Sequence, residues 1–195
     1  MSDIPIAQVV SVDGVNQSKG AAIPQGTANL QGIQVPHASS NINEIGAIEF
    51  LTKHQWPDAL QGHLLHGLKQ CVKRFIIVDD SGSMSTSDGH VLYKSQTKNN
   101  FTVVPSTRWD ELTNAMRFHA GLAEAAKAPT QFRLLNGSAP IDVGFSYDDD
   151  GVGESRAYAA FERSPSGGTP LCRHIHEVIQ EIRIMEVRSI IFLLP

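Results

Sequence analysis

The sequence has little cysteine, no long apolar run and no excess of basic residues. Cys71 and Cys172 form no CxxC zinc motif and, without secretory signals, are expected to be free thiols. No stretch approaches the ~20 apolar residues of a transmembrane helix, and the first residues do not read as a signal peptide. The 16 Lys and Arg against 20 Asp and Glu give a net charge of −4, without a basic run for a phosphate backbone. We therefore expect a cytoplasmic protein that binds neither nucleic acid nor a membrane.

Nucleotide-binding motifs are also missing, because neither GxGxxG nor GxxxxGK occurs. Apolar residues nevertheless make up 41% of the chain, which is enough for a packed core. A length of 195 residues leaves room for one domain with a tail, or for two small domains.

The N-terminal part of the chain divides into two segments of different composition. Residues 1–42 carry only three charges and are rich in Gly, Pro, Ser, Asn and Gln, which predicts a disordered leader. Residues 43–71 predict two helices that are separated at Pro57. Their apolar residues recur at spacings of three and four, at Ile45, Ile48, Leu51, Leu60, Leu64 and Leu68. This helical pair is too small for a core of its own, so we expect it to pack on residues 72–195.

Residues 72–195 show alternating strand and helix patterns. The predicted strands are residues 73–79 (KRFIIVD), a hairpin within 92–104, residues 131–136, an edge strand at 140–145 and a buried strand at 188–194 (RSIIFLL). The predicted helices are 107–127, with Thr107 and Asp110 as a capping box, 154–161, and one that starts at Pro170 with Thr169 as its cap. This order predicts an α/β fold with a Rossmann-like, doubly wound, mostly parallel sheet and helices on both faces.

Oxygen-bearing side chains cluster directly after the first predicted strand. Asp79, Ser81 and Ser83 lie within five residues, and a tight turn at Gly82 would fold both hydroxyls back toward the carboxylate. Thr169, at the start of the last predicted helix, could supply a fourth oxygen. Hard oxygen ligands suit Mg²⁺ or Mn²⁺, which prefer octahedral coordination.

Two segments carry a resemblance to a known family. FIIVDDSGSM, followed later by SGGTPL, resembles the metal-ion-dependent adhesion site (MIDAS) of von Willebrand factor A (vWA) domains. The resemblance implies that Asp79, Ser81, Ser83 and Thr169 hold Mg²⁺ or Mn²⁺. It also implies a non-catalytic module for divalent-cation-dependent protein–protein binding, in which an Asp or Glu carboxylate of a protein partner completes the coordination.

The sequence departs from this family at its C-terminal end. In vWA domains a second Asp follows the next strand, but the sequence ends at Pro195, where that turn would begin. The resemblance therefore implies a vWA-like domain that is truncated after its fourth strand, with weak metal binding. The unpaired edge of that last strand would promote aggregation. Were the domain complete, Asp142 or Asp148 would be the first candidates for the second Asp.

Two other classes of function remain open. The chain could be an enzyme that acts on a small substrate through the metal or through Cys172, although no His or Glu stands near Ser81 or Ser83. Cys172 and His176 share a helix face while His174 points away, which disfavours a three-ligand zinc site. The chain could instead be a structural fragment that binds no cation. In each case Asp80 is expected to face away from the site, solvated or paired locally.

Overall fold

The computed structural model describes residues 41–94, 101–145 and 151–191. Its helices are α1 (Glu44–Lys53), α2 (Asp58–Gln70), α3 (Arg108–Ala125), α4 (Val152–Phe161) and α5 (Leu171–Ile191). Its strands are β1 (Arg74–Val78), β2 (Gly89–Lys94), β3 (Phe101–Ser106), β4 (Thr130–Leu134) and β5 (Ile141–Val143). The predicted leader up to residue 40, and Asp148, lie outside the described residues.

Helices α1 and α2 form where the apolar repeats predict them. Asn43 caps α1, because its side-chain oxygen accepts a hydrogen bond from the backbone N–H of Gly46 at 3.1 Å. Pro57 precedes the first turn of α2 and separates the two helices. Ala47, Leu51 and their neighbours on both helices are buried in one apolar cluster with Leu122 of α3. The helical pair therefore packs on α3.

The strands form a three-stranded sheet and a separate hairpin. Strand β4 is central: it pairs in parallel with β1, from Arg74 opposite Thr130 to Val78 opposite Leu134. It pairs antiparallel with β5, which is an edge strand among the described residues, as predicted. In the same part of the chain β2 and β3 pair only with each other, and the predicted turn at 98–100 lies outside it. The fold is thus mixed α/β.

Helices α3 and α4 cover one face of this sheet. The capping box that starts α3 is formed as predicted: Thr107 Oγ1 accepts from the N–H of Asp110, whose carboxylate accepts from the N–H of Thr107. Phe132 of β4 is fully buried on this face, with its ring 5.7 Å from that of Phe161 in a T-shaped contact. Val78 and Trp109 complete the centre of the same apolar core.

Helix α5 contacts the sheet through ion pairs. Arg133 of β4 donates to Glu177 Oε2 at 3.0 Å and to Glu181 Oε2 at 2.6 Å, and Lys73 also pairs with Glu181. Partial burial raises the pKa of Glu181, but the hydrogen bonds and charges of Lys73 and Arg133 outweigh it and lower that pKa. Because strand side chains alternate, β4 presents Phe132 to the α3 face and Arg133 to α5.

The prediction of a buried strand at residues 188–194 is wrong for residues 188–191, which are helical. Helix α5 continues without interruption from Leu171 to Ile191, and residues 192–195 lie outside the described part. A short apolar run does not by itself distinguish a strand from a helix, and neither Gly nor Pro interrupts the sequence from Leu171 to Leu194. Within the described residues the sheet therefore has one parallel and one antiparallel pairing, and β1 has a partner on one side only.

Candidate metal centre

The turn after β1 brings the two predicted serine ligands together. Asp79 Oδ1 accepts a hydrogen bond from the N–H of Ser81 at 2.9 Å, which turns the chain sharply after the strand. A short 3₁₀ helix, Gly82–Ser85, follows. As a result Ser81 Oγ and Ser83 Oγ lie 3.1 Å apart. Ser81 is buried, whereas Ser83 is exposed at the surface of the turn.

A second loop crosses this turn and carries Thr169 to the same edge of the sheet. The N–H of Ser166 donates to the carbonyl of Asp80 at 2.8 Å, and the N–H of Gly82 donates to the carbonyl of Gly167 at 3.1 Å. Thr169 is exposed and lies two residues beyond this contact. The two segments that were singled out in the sequence are therefore joined by backbone hydrogen bonds.

Asp80 and Asn136 hold the two loops against β4. Asp80 is buried, and its Oδ1 accepts from the backbone N–H of Asn136 at 2.8 Å and from Asn136 Nδ2 at 3.0 Å. Asn136 Nδ2 also donates to the carbonyl of Gly168 at 2.9 Å. Asp80 is thus neither solvated nor paired locally, and that expectation is wrong. Sequence reasoning also missed Asn136, whose signal was its place at the end of the predicted strand 131–136, beside the end of β1.

The oxygen atoms of this centre suit a small hard cation. Asp79 supplies a carboxylate whose Oδ2 has no hydrogen-bond donor within the described residues, and Ser81 and Ser83 supply neighbouring hydroxyls. In the described part of the chain no three His, Cys, Asp or Glu side chains are grouped to hold a metal. Hydroxyl groups and water would therefore make up most of the coordination, as Mg²⁺ tolerates.

Asp142 does not supply a second carboxylate to this centre. It lies on β5 opposite Gln131, which itself lies opposite Phe75 near the amino end of β1. Asp142 Oδ1 accepts from Gln131 Nε2 at 2.8 Å. Asp79 follows the carboxyl end of β1, which is about 10 Å away at ~3.3 Å per residue. The prediction of Asp142 as a replacement ligand is therefore wrong.

Cys172 and His174 take opposite positions on α5, as their spacing predicts. Cys172 and His176 are exposed, while His174 is buried with its Nε2 3.0 Å from the carbonyl oxygen of Leu135. Within the described residues no hydrogen bond joins Cys172 to a histidine.

Comparisons with family models, with curated proteins and with solved structures find no match to this chain. None of the helices in the described ranges is long and apolar enough to cross a membrane. The function of the site therefore has to follow from its own geometry and chemistry.

Proposed function

We propose that the chain is a divalent-cation-dependent protein-binding module in which Asp79, Ser81, Ser83 and Thr169 hold Mg²⁺ or Mn²⁺. The observation that carries this proposal is the 3.1 Å separation of the two serine hydroxyl oxygens beside a carboxylate. Adjacent ligands of an octahedral ion at ~2.1 Å lie about 3.0 Å from each other. The two hydroxyls therefore have the spacing of neighbouring ligands.

The charge of the centre favours an acidic partner. A divalent cation held by one carboxylate keeps a single positive charge and several exchangeable waters. An Asp or Glu carboxylate from another protein would neutralise that charge and replace one water. Gly82, Ser83 and Thr169 are exposed, so such a carboxylate has access to the ion. No general base is required for this role, and we propose binding rather than catalysis.

The finer architecture that we propose is a Rossmann-like domain of vWA type. Its support is the position of the turn at residues 79–83, which lies at the carboxyl end of β1 beside the parallel strand β4. In open α/β sheets, ligands bind at this edge. The family resemblance of the DxSxS and GGTPL segments, which hydrogen bonds join in space, supports the same architecture.

Calorimetric titration of the full chain with Mn²⁺ and Mg²⁺ tests the metal site. We expect weak binding by the unmodified protein and at least tenfold weaker binding by Asp79→Asn, which removes the only charged ligand. Asp58→Asn is the matched control, because Asp58 is an exposed aspartate in the first turn of α2. Equal affinities for Asp79→Asn and Asp58→Asn would exclude the site.

Water-proton relaxation of the Mn²⁺-loaded chain tests for carboxylate recruitment. Acetate is expected to displace a metal-bound water and to lower the relaxation enhancement, with chloride at equal ionic strength as the control. An enhancement that acetate leaves unchanged, while Mn²⁺ stays bound, would contradict recruitment but not metal binding.

A further inference from the structure

A second polar site lies between the β4–β5 connection and the first turns of α5. It is a cavity of about 190 Å³, and it contains none of the proposed metal ligands. Its polar lining comes from Arg133, Ser138, Arg173, His174 and Glu177. A water molecule takes ~30 Å³ of liquid volume, so the cavity has room for a small polyatomic ion with several waters.

His174, which lines this cavity, has an unpaired polar atom beside it. Its side chain is only 8% exposed, and Nδ1 is buried without a hydrogen-bond partner in the described residues. The other ring nitrogen, Nε2, lies 3.0 Å from the carbonyl oxygen of Leu135, on which Arg173 Nη2 also converges at 3.3 Å. Burial of an unpaired polar atom is unfavourable. A ligand that pairs with Nδ1 would remove that penalty.

The described side chains that line the cavity carry more positive than negative charge, while Glu181, outside the lining, also pairs with Arg133. Arg133 is almost fully buried, and Arg173 is exposed at the rim. Glu177 is the one acidic lining residue: Arg133 Nη1 donates to its Oε2 at 3.0 Å, and that oxygen lies 3.8 Å from His174 Nδ1. The first turns of a helix add partial positive charge. Glu177 is 45% exposed, so its carboxylate can leave for solvent.

We propose that this cavity binds a small tetrahedral oxyanion of the phosphate type through Arg173, His174 and Ser138. Glu177 occupies part of the same positive environment and acts as an internal competitor of the oxyanion. A tetrahedral oxyanion offers more acceptor oxygens than a carboxylate does, and it can accept from two or three of these side chains at once.

The tautomer of His174 decides whether Nδ1 can donate to an oxyanion. Arg173 Nη2 lies 3.1 Å from His174 Nε2. When Nε2 accepts from Arg173, the ring proton is on Nδ1, which is then a donor for an anion.

Sulfate titrations of the full chain at neutral pH test the proposal, because sulfate is a fully ionised tetrahedral oxyanion. Chloride keeps the ionic strength constant, and amide shifts of residues 137–139 and 173–177 report binding by NMR. Arg173→Gln should weaken binding about tenfold, since it removes a charge-assisted hydrogen bond. Glu177→Gln should tighten it several-fold. Arg183→Gln, an exposed arginine of α5 outside the cavity, is the matched control and should change nothing.

Three outcomes would overturn the proposal. These are equal affinities for Arg173→Gln and Arg183→Gln, no gain for Glu177→Gln, or shifts that do not involve the cavity. Both arginines are exposed, and thermal melts verify that the variants fold. Inorganic phosphate and glycerol phosphate then distinguish a free ion from a phosphomonoester as the ligand, and failure of both would exclude the phosphate class. Asp79→Asn should keep its sulfate affinity, which separates this site from the metal centre.

Discussion

Gly167 lies between the turn at residues 79–83 and the side chain of Asn136. Its φ of +86° lies in the left-handed region, and a Cβ at this position would stand 2.5 Å from Asn136 Oδ1. The carbonyl oxygen of Gly167 accepts a hydrogen bond from the N–H of Gly82, in the turn at residues 79–83. At the neighbouring Gly168 a Cβ would meet nothing within 4 Å in the described part of the chain, and φ is not positive. Gly168 is therefore a suitable control position for a substitution at Gly167.

Gly167→Ala is expected to destabilise the protein by about 1–2 kcal/mol, the cost of a left-handed alanine, and to lower Mn²⁺ affinity. The lower Mn²⁺ affinity is expected because the added methyl group displaces the Asn136 side chain, which then no longer holds Asp80 and the 166–169 loop in place. Urea unfolding and Mn²⁺ titration measure the two effects. Gly168→Ala should leave both unchanged, and equal behaviour of the two variants would contradict this role of Gly167.

At the level of elements, α3 has the best-defined start. Thr107 and Asp110 exchange side-chain hydrogen bonds with each other's backbone, and Ser106 Oγ also donates to Asp110. The hydrogen bond from Thr107 lowers the pKa of Asp110, with smaller contributions that include the bond from Ser106. A carboxylate with a lowered pKa in the folded state stabilises the fold at neutral pH, and this contribution is lost as pH falls through that pKa.

Thr107→Ala is expected to cost about 1 kcal/mol at pH 7, the usual effect of removing an N-cap. The difference from the unmodified chain should shrink as pH falls through the lowered pKa of Asp110, because a protonated carboxyl loses its charge-assisted hydrogen bonds. Urea unfolding over a series of acidic pH values measures this. Thr102→Ala, at an exposed position on β3, should change stability by less than about 0.5 kcal/mol. A Thr107 effect that is identical at every pH would contradict the carboxylate linkage.

Helix α5 has an apolar face that its ion pairs with the sheet do not cover. Leu171, Ile175, Ile179 and Ile182 are 37–43% exposed at helical spacing. The sequence predicted exposed apolar surface on a terminal strand, and the structure instead has it on this helix. Contiguous apolar surface of this kind promotes association.

Ile175→Lys combined with Ile179→Lys is expected to reduce binding of a hydrophobic dye and concentration-dependent light scattering. The melting temperature should change little, because neither side chain is in the buried core. Ile45→Lys is the control, since Ile45 is an exposed apolar residue on α1, away from this face. Unchanged scattering of the double variant would show that association arises elsewhere.

For the whole molecule, the sequence predicted those helices and strands that depend on short-range residue patterns. The capping box at Thr107 and the run before Asp79 led to elements that the structure has. The order of the strands and the contact between Asp80 and Asn136 depend on residues that are 56 positions apart. The periodicity of apolar residues along the sequence does not predict such long-range contacts. The strand predicted at residues 188–194 was wrong for a local reason: an apolar run without a break fits both a strand and a continued helix.

The parallel pairing of β1 with β4 also bears on when the complete candidate centre, from the turn at residues 79–83 to the 166–169 loop, can form during folding. Arg74 and Thr130 are 56 residues apart, and the intervening hairpin and α3 contain local contacts that require little loop closure. The turn itself is closed by local hydrogen bonds, but Asp80 meets Asn136 only once β1 and β4 lie together, so we expect the complete centre to form late in folding. A cation bound at the complete centre is then expected to stabilise the protein by slowing unfolding, with little effect on the rate of folding.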